Sequence, residues 1–177
     1  MDSIADNIAR AAKVKLMIFD VDGVLTDGSL HFGPDGEMMK TFNVYDGLGI
    51  KLLQESGVQT AIISARQSAV VTRRAADLGI HHVHQGGHDK LTPFAKLLET
   101  TGLTAEQCGY IGDDVIDLPI LTRVGFSVSV PGGRPEVHTR VHHVTQAGGG
   151  AGAVREVCEF VLRAQGNFER VIAPFLA

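Results

Sequence analysis

The sequence predicts an α/β protein built on a doubly wound, Rossmann-like parallel sheet with helices on both faces. Short, bounded apolar runs alternate along the chain with longer amphipathic stretches, as in βαβ units. Polar and glycine-rich groups follow several of these runs directly, which is typical of loops at the carboxyl ends of buried strands. Since neither an internal repeat nor an interdomain linker interrupts the alternation, residues 1–177 are expected to form a single domain.

Composition narrows the class of protein. Hydrophobic residues make up 44% and charged residues 20% of the chain, as in water-soluble globular proteins. The net charge of −4 offers no electrostatic case for binding nucleic acid. With two cysteines and no C-x-x-C motif, a disulfide framework or thiolate zinc site is not expected. Neither a secretion signal nor an apolar run of membrane-spanning length is evident, so we expect a cytoplasmic protein without a membrane partner.

The first predicted elements are a helix and a strand. Residues 3–13 carry apolar side chains at helical spacing, and Ser3 followed by Asp6 is a capping signal. Residues 16–19 are an uninterrupted apolar run, as expected of a strand that is buried on both faces.

A β-hairpin is predicted between the first strand and the next helix, over residues 29–44. The tetrapeptide 33–36, Gly-Pro-Asp-Gly, is a turn sequence between two extended segments. The insertion is too short for a cap domain. Because an isolated hairpin is marginally stable in water, it should pack on another surface, such as a second subunit.

The remaining elements continue the alternation, and glycine marks several helix ends. Helices are predicted over residues 46–55, 67–78, 91–100 and 153–165. Strands are predicted over residues 58–63, 80–84, 124–130 and 141–145, and residues 109–111 lead into an acidic loop. The tail, from residue 148 to 177, begins with a glycine run at 148–152 that is expected to be flexible.

The stretch after the first strand ends in carboxylates. Asp20 and Asp22 are two residues apart, so in extended backbone both side chains can face one small volume. Two adjacent carboxylates require a compensating cation or shared proton, and Mg²⁺ suits oxygen ligands best. One carboxylate is then suited to nucleophilic attack and the other to general acid/base catalysis. Taken alone, Asp-x-Asp-Gly is more often an ordinary acidic turn.

Further polar groups follow other predicted strands. The clusters are Asp20 with Asp22, Ser64 with Arg66, Lys90, and Asp113 with Asp114 and Asp117. Because the carboxyl ends of strands in a doubly wound sheet lie along one edge, these groups can converge. Together they supply a nucleophile, an acid/base, a hydroxyl donor, a cation and carboxylates for a metal, the set that phosphoryl transfer requires.

With these residues in this order, the chain resembles the haloacid dehalogenase-like hydrolases. The matching motifs are Asp20-Val21-Asp22-Gly23-Val24, Ser64, Lys90 and Gly112-Asp113-Asp114. The resemblance implies that Asp20 attacks phosphorus to form an aspartyl-phosphate, and that Asp22 protonates the leaving oxygen and then activates water. Ser64 and Lys90 are implied to hold the phosphate. The implied Mg²⁺ ligands are Asp20, the backbone carbonyl of Asp22, and Asp113, with Asp114 and Asp117 supporting the metal loop.

Longer stretches resemble the capless branch of that family, whose members hydrolyse 3-deoxy-D-manno-octulosonate 8-phosphate during synthesis of lipopolysaccharide precursors. These stretches are residues 42–50, 89–90, 112–119 and 152–158. The branch forms homotetramers with the hairpins at the centre, where a neighbouring subunit helps to close the site. The resemblance therefore implies a sugar acid phosphate as substrate and a homotetramer. The residues implied to contact the sugar acid are Asn43, Asp46, Gly47, Lys51, Arg66 and Arg74.

The sequence differs from the branch at two places, and it leaves three alternative functions open. Ser64-Ala65-Arg66 stands where relatives often have Thr-Gly-Arg, and Ala151 where a relative has arginine, so a cationic contact is missing if the tail reaches a neighbouring site. The alternatives are a phosphatase of a nine-carbon ulosonate phosphate, a catalytically silent tetramerising module, and a phosphate-transferring mutase. The complete carboxylate and lysine set argues against silence, and the lack of a cap argues against a mutase.

Overall fold

The computed structural model describes residues 3–176 of the chain. In chain order its strands are β1 (Leu16–Phe19), β2 (His31–Gly33), β3 (Gly36–Met39), β4 (Gln59–Ser64), β5 (His82–Gln85), β6 (Cys108–Ile111), β7 (Phe126–Ser129) and β8 (His143–Val144). Its α-helices are α1 (Ile4–Ala11), α2 (Val44–Glu55), α3 (Ala69–Leu78), α4 (Leu91–Thr101), α5 (Leu118–Leu121), α6 (Pro135–His138), α7 (Ala153–Ala164) and α8 (Phe168–Ile172). Single 3₁₀ turns lie at Ala105–Gln107, Val115–Asp117 and Ala173–Phe175.

The main sheet has six parallel strands in the order β5-β4-β1-β6-β7-β8. The chain proceeds from β1 outward through β4 to β5 and then crosses back to the other side of β1 to begin β6. The winding direction therefore reverses between β1 and β6, and ligands of such sheets bind outside the carboxyl ends at this point. The predicted doubly wound fold is confirmed.

The predicted hairpin forms a separate two-stranded sheet between β1 and α2. Strands β2 and β3 pair antiparallel through Phe32 with Glu37 and Gly33 with Gly36. The insertion consists of this hairpin and its connecting segments, as expected for a fold without a cap domain.

The sheet is covered on both faces, as the alternating side chains of β1 show. Met17 and Phe19 belong to a buried cluster that includes residues of α1, α2, α3 and α7. Leu16 and Ile18 face the other way, into a second cluster with residues of α4, α5 and α6. Burial on both sides explains why β1 is an uninterrupted apolar run.

Side-chain caps decide where two helices begin. The Ser3 hydroxyl accepts a hydrogen bond from the Asp6 amide at 3.2 Å, so the predicted cap of α1 is confirmed. Helix α2 begins at Val44, two residues earlier than predicted, because Asn43 Oδ1 accepts a hydrogen bond from the Tyr45 amide at 2.8 Å.

The prediction that residues 148–152 are flexible is wrong. A Cβ atom added to Gly149 would lie 1.8 Å from the carbonyl oxygen of Gly23, and the Gly150 amide donates to the Val24 carbonyl at 2.9 Å. Asn43 Nδ2 also donates to the Gly150 carbonyl, at 3.3 Å. Glycine is required here because two backbones pack closely, and the run braces the loop after β1.

After α7 the predicted tail continues into helix α8. Val171 of α8 is buried in the same cluster as β1. Within residues 3–176, none of the helices combines the length and apolar character that crossing a bilayer requires.

Candidate active site

The loops that follow β1, β4 and β6 surround a cavity of about 140 Å³. Its lining residues are Asp20, Asp22, Ser64, Ala65, Arg66, Lys90, Asp113, Asp114 and Ile116. The predicted catalytic and phosphate-binding side chains therefore converge at the switch point of the sheet. The cause is topological, because the register pairs Phe19 with Ile111, the last residue of β6, and with Ile62, two residues before the end of β4, so the three strands end close together at one edge.

Three buried residues, Asp20, Lys90 and Asp117, are together called the site floor: Asp20 and Lys90 line the cavity, and Asp117 lies against Lys90. Lys90 Nζ lies 2.8 Å from Asp20 Oδ1 and 2.6 Å from Asp117 Oδ1, and its side chain is fully buried. A cation at the start of a helix is unfavourable by itself, and these two carboxylates compensate it. The position of Lys90 thus depends on anions contributed by two other loops.

Asp117 links the floor to the loop that carries Asp113. Its Oδ1 accepts hydrogen bonds from Lys90 and, at 2.5 Å, from the Tyr110 hydroxyl. Its Oδ2 accepts the backbone amides of Asp113 and Asp114, both at 3.1 Å. Both oxygens of this fully buried carboxylate are thus occupied, which suits the predicted supporting role.

The floor holds more negative than positive charge. Carboxylate oxygens of Asp20, Asp113 and Asp117 all lie within 4.8 Å of one another. Burial and the Asp117 charge raise the pKa of Asp20 to about 8, although Lys90 opposes this shift. Burial and the charges of Asp117 and Asp114 raise the pKa of Asp113 to about 6. A divalent cation would relieve this repulsion and favour the ionised forms, so the donor set fits a hard metal ion such as Mg²⁺.

Gly23 allows Asp113 to approach the loop after β1. Its φ angle is +91°, and an added Cβ would lie 2.1 Å from Asp113 Oδ2. A side chain here would displace the Asp113 carboxylate and strain the backbone. The glycine of the Asp-x-Asp-Gly segment therefore sets the distance between the two acidic loops.

The hairpin contacts a lining residue of the cavity, Asp22, through Lys40, which also pairs with Glu37; Asp22, Lys40 and Glu37 are together called the hairpin wall. Lys40 Nζ lies 2.5 Å from Asp22 Oδ1 and 3.0 Å from Glu37 Oε1. Burial disfavours the charged form of Lys40, but hydrogen bonds with Asp22 and Glu37 outweigh it and raise the pKa. Sequence reasoning missed Lys40 and Glu37, since no spacing rule connects residues 18 positions apart across an insertion.

Arg66 lies at the rim, between the cavity and the hairpin. Its side chain is 43% exposed, with Nε 3.9 Å from Asp22 Oδ2. Its guanidinium carbon lies 5.7 Å from the centre of the Phe32 ring. The side chain is accessible to a ligand at the mouth of the cavity.

Ser64 and Asp114 lie where predicted but differ in exposure. Ser64 is the last residue of β4 and is 4% exposed. Asp114 is exposed, and its Oδ1 accepts the Val115 amide at 2.7 Å, which caps the following 3₁₀ turn. Their predicted roles in holding phosphate and supporting the metal loop stay predictions.

The other residues predicted to contact the sugar acid do not line this cavity. They are Asn43, Asp46, Gly47, Lys51 and Arg74. Asp46 is buried, and its Oδ1 accepts the Arg155 amide at 2.8 Å, near the start of α7. Gly47 lies under Arg74, whose Nη2 would be 2.4 Å from an added Cβ. Within residues 3–176, Asp46 and Gly47 join α2 to its neighbours.

Comparisons with known proteins agree with this geometry. A sequence model of the haloacid dehalogenase-like hydrolases matches residues 77–155. The 3-deoxy-D-manno-octulosonate 8-phosphate phosphatase of Escherichia coli strain K12 is 46% identical over 165 residues, covering 93% of this chain and 88% of that protein.

Two solved structures are also similar throughout. A probable phosphatase of the YrbI family from Pseudomonas syringae has a TM-score of 0.95 at 50% identity, covering 98% of both chains. The 3-deoxy-D-manno-octulosonate 8-phosphate phosphatase of Moraxella catarrhalis, in complex with magnesium, phosphate and KDO, has a TM-score of 0.95 at 44% identity. That match covers 98% of this chain and 99% of the other.

Proposed function

The chain belongs to the haloacid dehalogenase-like hydrolases and, within them, to the 3-deoxy-D-manno-octulosonate 8-phosphate phosphatases, and from this membership we propose that it hydrolyses that ester to the free sugar acid and phosphate. One observation carries the proposal: Asp20, Asp22, Ser64, Lys90 and Asp113 converge on one cavity at the switch point of the sheet. Similarity to the phosphatase relatives over more than nine-tenths of the chain supports the substrate. The reaction would serve lipopolysaccharide precursor synthesis.

The proposed chemistry has two steps, each using both aspartates. A carboxylate oxygen of Asp20 attacks phosphorus, the bond between phosphorus and the sugar oxygen breaks, and Asp22 gives that oxygen a proton. Asp22 then takes a proton from a water molecule, whose oxygen attacks phosphorus, and the bond to Asp20 breaks. Phosphate leaves and Asp20 is regenerated, so protons and charges balance over the cycle.

The residues of the site floor prepare the first step. Lys90, 2.8 Å from Asp20, offers a positive charge beside the phosphoryl oxygens. The hydroxyl of Ser64 is suited to donate a hydrogen bond to the same group. Because Lys90 is also held by Asp117, it needs no rearrangement when substrate binds.

We propose Mg²⁺ as the cofactor, held by Asp20, Asp113 and the backbone carbonyl of Asp22. The crowded carboxylates, with raised pKa values for Asp20 and Asp113, supply the need for a cation. When bound, Mg²⁺ would neutralise charge on the phosphoryl group. Asp117 would orient the Asp113 loop, since its own oxygens already accept four hydrogen bonds.

Arg66 is the proposed partner of the sugar acid carboxylate. It is the accessible cation at the rim of the cavity, and guanidinium binds carboxylates through two hydrogen bonds. Asn43, Lys51 and Arg74 are retained as proposed contacts for the rest of the sugar acid. Asp46 and Gly47 contribute by shaping the start of α2.

We propose a homotetramer of single-domain subunits, with the hairpins at its centre. The hairpin exposes apolar side chains that a neighbouring subunit would cover, namely Leu30, Phe32, Met38 and Met39. The start of α2 exposes three more, Val44, Tyr45 and Leu48. Size-exclusion chromatography with light scattering should give four times the chain mass, and a monomer at micromolar concentration would exclude a shared site.

A cytoplasmic location is proposed as well. Cys108 and Cys158 are both free and buried, and burial raises the pKa of Cys108 to about 12. Two unreactive thiols of this kind suit a reducing compartment.

The proposed activity is tested by phosphate release with Mg²⁺ from a panel of phosphate esters. The panel contains the octulosonate 8-phosphate, a nonulosonate 9-phosphate, a hexose 6-phosphate and a nucleotide. Strong preference for the first, abolished by EDTA, is the expected result. Preference for the nine-carbon ester would show that the proposed substrate is wrong, while the proposed aspartate mechanism would stand. No turnover of any ester, with or without EDTA, would reject enzymatic function.

A further inference from the structure

Lys40 connects the hairpin to the residue that carries the proton in the reaction. Its side chain is 1% exposed, and its Nζ donates to Asp22 Oδ1 at 2.5 Å. Resting on the proposed function, we propose that Lys40 is a positioning residue, which fixes one oxygen of Asp22 so that the other faces the leaving group.

The two oxygens of Asp22 have different surroundings. Oδ1 is held by the buried Lys40 ammonium. Oδ2 has Arg66 Nε at 3.9 Å, beyond the length of a hydrogen bond. The Asp22 side chain lines the cavity and is 21% exposed. Oδ2 is therefore the oxygen that is free to exchange a proton with substrate or water.

Lys40 is itself held by a chain of hydrogen bonds that ends on the main fold. Glu37 Oε1 lies 3.0 Å from Lys40 Nζ, and Glu37 Oε2 accepts a hydrogen bond from the Ser68 hydroxyl. Ser68 is buried and caps helix α3 by accepting the Val71 amide at 3.3 Å. The chain Asp22–Lys40–Glu37–Ser68 thus fastens the hairpin to the end of a helix beside the sheet.

Burying an ammonium group is unfavourable unless it has charged or polar partners. An exposed lysine would form a surface ion pair with Asp22 at much lower cost, yet it would hold the carboxylate loosely because both side chains retain rotational freedom. Full burial with two carboxylate partners restricts Lys40 to one position. This burial is what suits Lys40 to orienting a catalytic carboxylate.

The proton transfer concerned is the one to the leaving oxygen. As the bond between phosphorus and that oxygen breaks and the bond to Asp20 forms, the proton on Asp22 Oδ2 moves to the leaving oxygen. An alkoxide is a poor leaving group and needs this proton to leave as the alcohol, whereas para-nitrophenolate leaves without it. A fault in the position of Asp22 must therefore affect alkyl esters more than activated aryl esters.

The test compares kcat/KM for two substrates, the octulosonate 8-phosphate and para-nitrophenyl phosphate, since this constant reports the steps up to bond cleavage. Lys40→Met retains most of the side-chain volume and removes the charge. We expect kcat/KM for the alkyl ester to fall at least about tenfold and that for the aryl ester less than about threefold. The control Lys13→Met, at an exposed lysine of the loop before β1, should change neither.

Binding and chemistry are separated by a second measurement. Inhibition of para-nitrophenyl phosphate hydrolysis by the free octulosonate should be unchanged in Lys40→Met, since the buried lysine does not reach the sugar. Equal losses on both esters, or weaker inhibition by the sugar acid, would overturn the positioning role. If Lys40→Met does not fold, the same comparison is made with Glu37→Gln. We expect a smaller loss of kcat/KM that is again confined to the alkyl ester. An equal loss of kcat/KM for both esters would overturn the proposal.

A failure of the proposed function can be distinguished from a failure of the proposed role of Lys40. If the wild-type enzyme does not hydrolyse the octulosonate ester but does hydrolyse another alkyl ester of the panel, that ester replaces it in the comparison. The ratio of alkyl to aryl turnover then tests Lys40 in the same way.

Discussion

The site floor and the hairpin wall each pair an aspartate that we propose to be catalytic with a buried lysine, but they reach that arrangement differently. In the floor, Asp20, Lys90 and Asp117 are all buried and come from the ends of the main sheet. In the wall, Lys40 arrives on an insertion, and both of its carboxylate partners keep some exposure.

The difference separates two tasks. Under the proposed mechanism, the floor keeps its geometry while the phosphoryl group is transferred, because buried charges fixed by several hydrogen bonds do not reorganise. Under the same mechanism, Asp22 of the wall exchanges protons with water and substrate, which its partly exposed side chain permits. Two aspartates that are two residues apart thus have different surroundings, as their different proposed roles require.

The largest expected effect comes from replacing the aspartates themselves. Asp20→Asn should lower kcat/KM at least about 10³-fold for alkyl and aryl esters alike, because the nucleophile is lost. Asp22→Asn should lower it by about 10²-fold or more for the alkyl ester and much less for the aryl ester. Equal profiles for the two variants would show that floor and wall do not divide the chemistry.

Although Asp20→Asn should abolish most of the activity, it should not lower the free energy of unfolding of the metal-free protein. Asp20→Asn leaves Lys90 paired with Asp117 and removes one of three crowded carboxylates, so the metal-free protein should be no less stable than wild type. Urea unfolding without metal measures this. A large loss of stability would mean that Asp20 supports the fold as well as the chemistry.

Asp117→Asn should have the opposite effect on stability. An amide at this position presents a donor either to Lys90 and Tyr110 or to the two backbone amides that Asp117 now accepts. The free energy of unfolding should fall by about 3 kcal/mol, because buried donors lose their acceptor. Asp114→Asn, at an exposed carboxylate of the same loop, is the matched control and should cost much less.

Gly149→Ala tests how the loop of the hairpin wall is supported. The added Cβ would meet the Gly23 carbonyl at 1.8 Å, so one of two backbones has to move. We expect a loss of about 1–3 kcal/mol in unfolding free energy, together with lower activity because Asp22 precedes Gly23. Gly148→Ala is the control, since nothing lies within 4 Å of its added Cβ. Equal stability of both variants would restore the interpretation of this run as a flexible segment.

The smallest effect is the pH dependence of metal binding. Burial raises the pKa of Asp113 to about 6 and that of Asp20 to about 8, so the metal-free folded state retains protons that the unfolded chain has lost. Metal-free stability should therefore fall as pH rises from about 4 to about 8, since the folded state then binds more protons than the unfolded state.

Mg²⁺ must displace those protons, so its affinity should increase by about tenfold or more between pH 6 and pH 8. The increase in Tm caused by Mg²⁺, measured at pH 6, 7 and 8, should grow across this series. An increase in Tm that is the same at every pH would show that the carboxyl groups of Asp20 and Asp113 are already ionised without metal.

Particular residues show how much of the candidate site could be predicted from the sequence alone. The convergence of Asp20, Asp22, Ser64, Lys90 and Asp113 was predictable because each lies at or shortly after the carboxyl end of a strand, and the strand ends of a parallel sheet meet at one edge. The contact between Lys90 and two carboxylates was not predicted from the sequence, where the resemblance implied only that Lys90 holds the phosphate.

Other residues could be understood only in three dimensions. Lys40 carries no periodic signal, and its role depends on how the hairpin folds back on the loop after β1. The resemblance implies that Asp46 contacts substrate, but only the structure shows that its Oδ1 accepts the Arg155 amide near the start of α7, 109 residues away in the chain.

What the sequence by itself determined is the sheet, its winding and the set of reactive groups at its edge, because hydrophobic periodicity and short strand-to-loop spacings are local properties. What only the tertiary structure decided is the surroundings of each group: which lysine holds which aspartate, how closely Gly149 and Gly150 pack on the loop after β1, and which carboxylates crowd together. Those surroundings arise from contacts between segments far apart in the chain, and such contacts depend on packing geometry that no local pattern encodes.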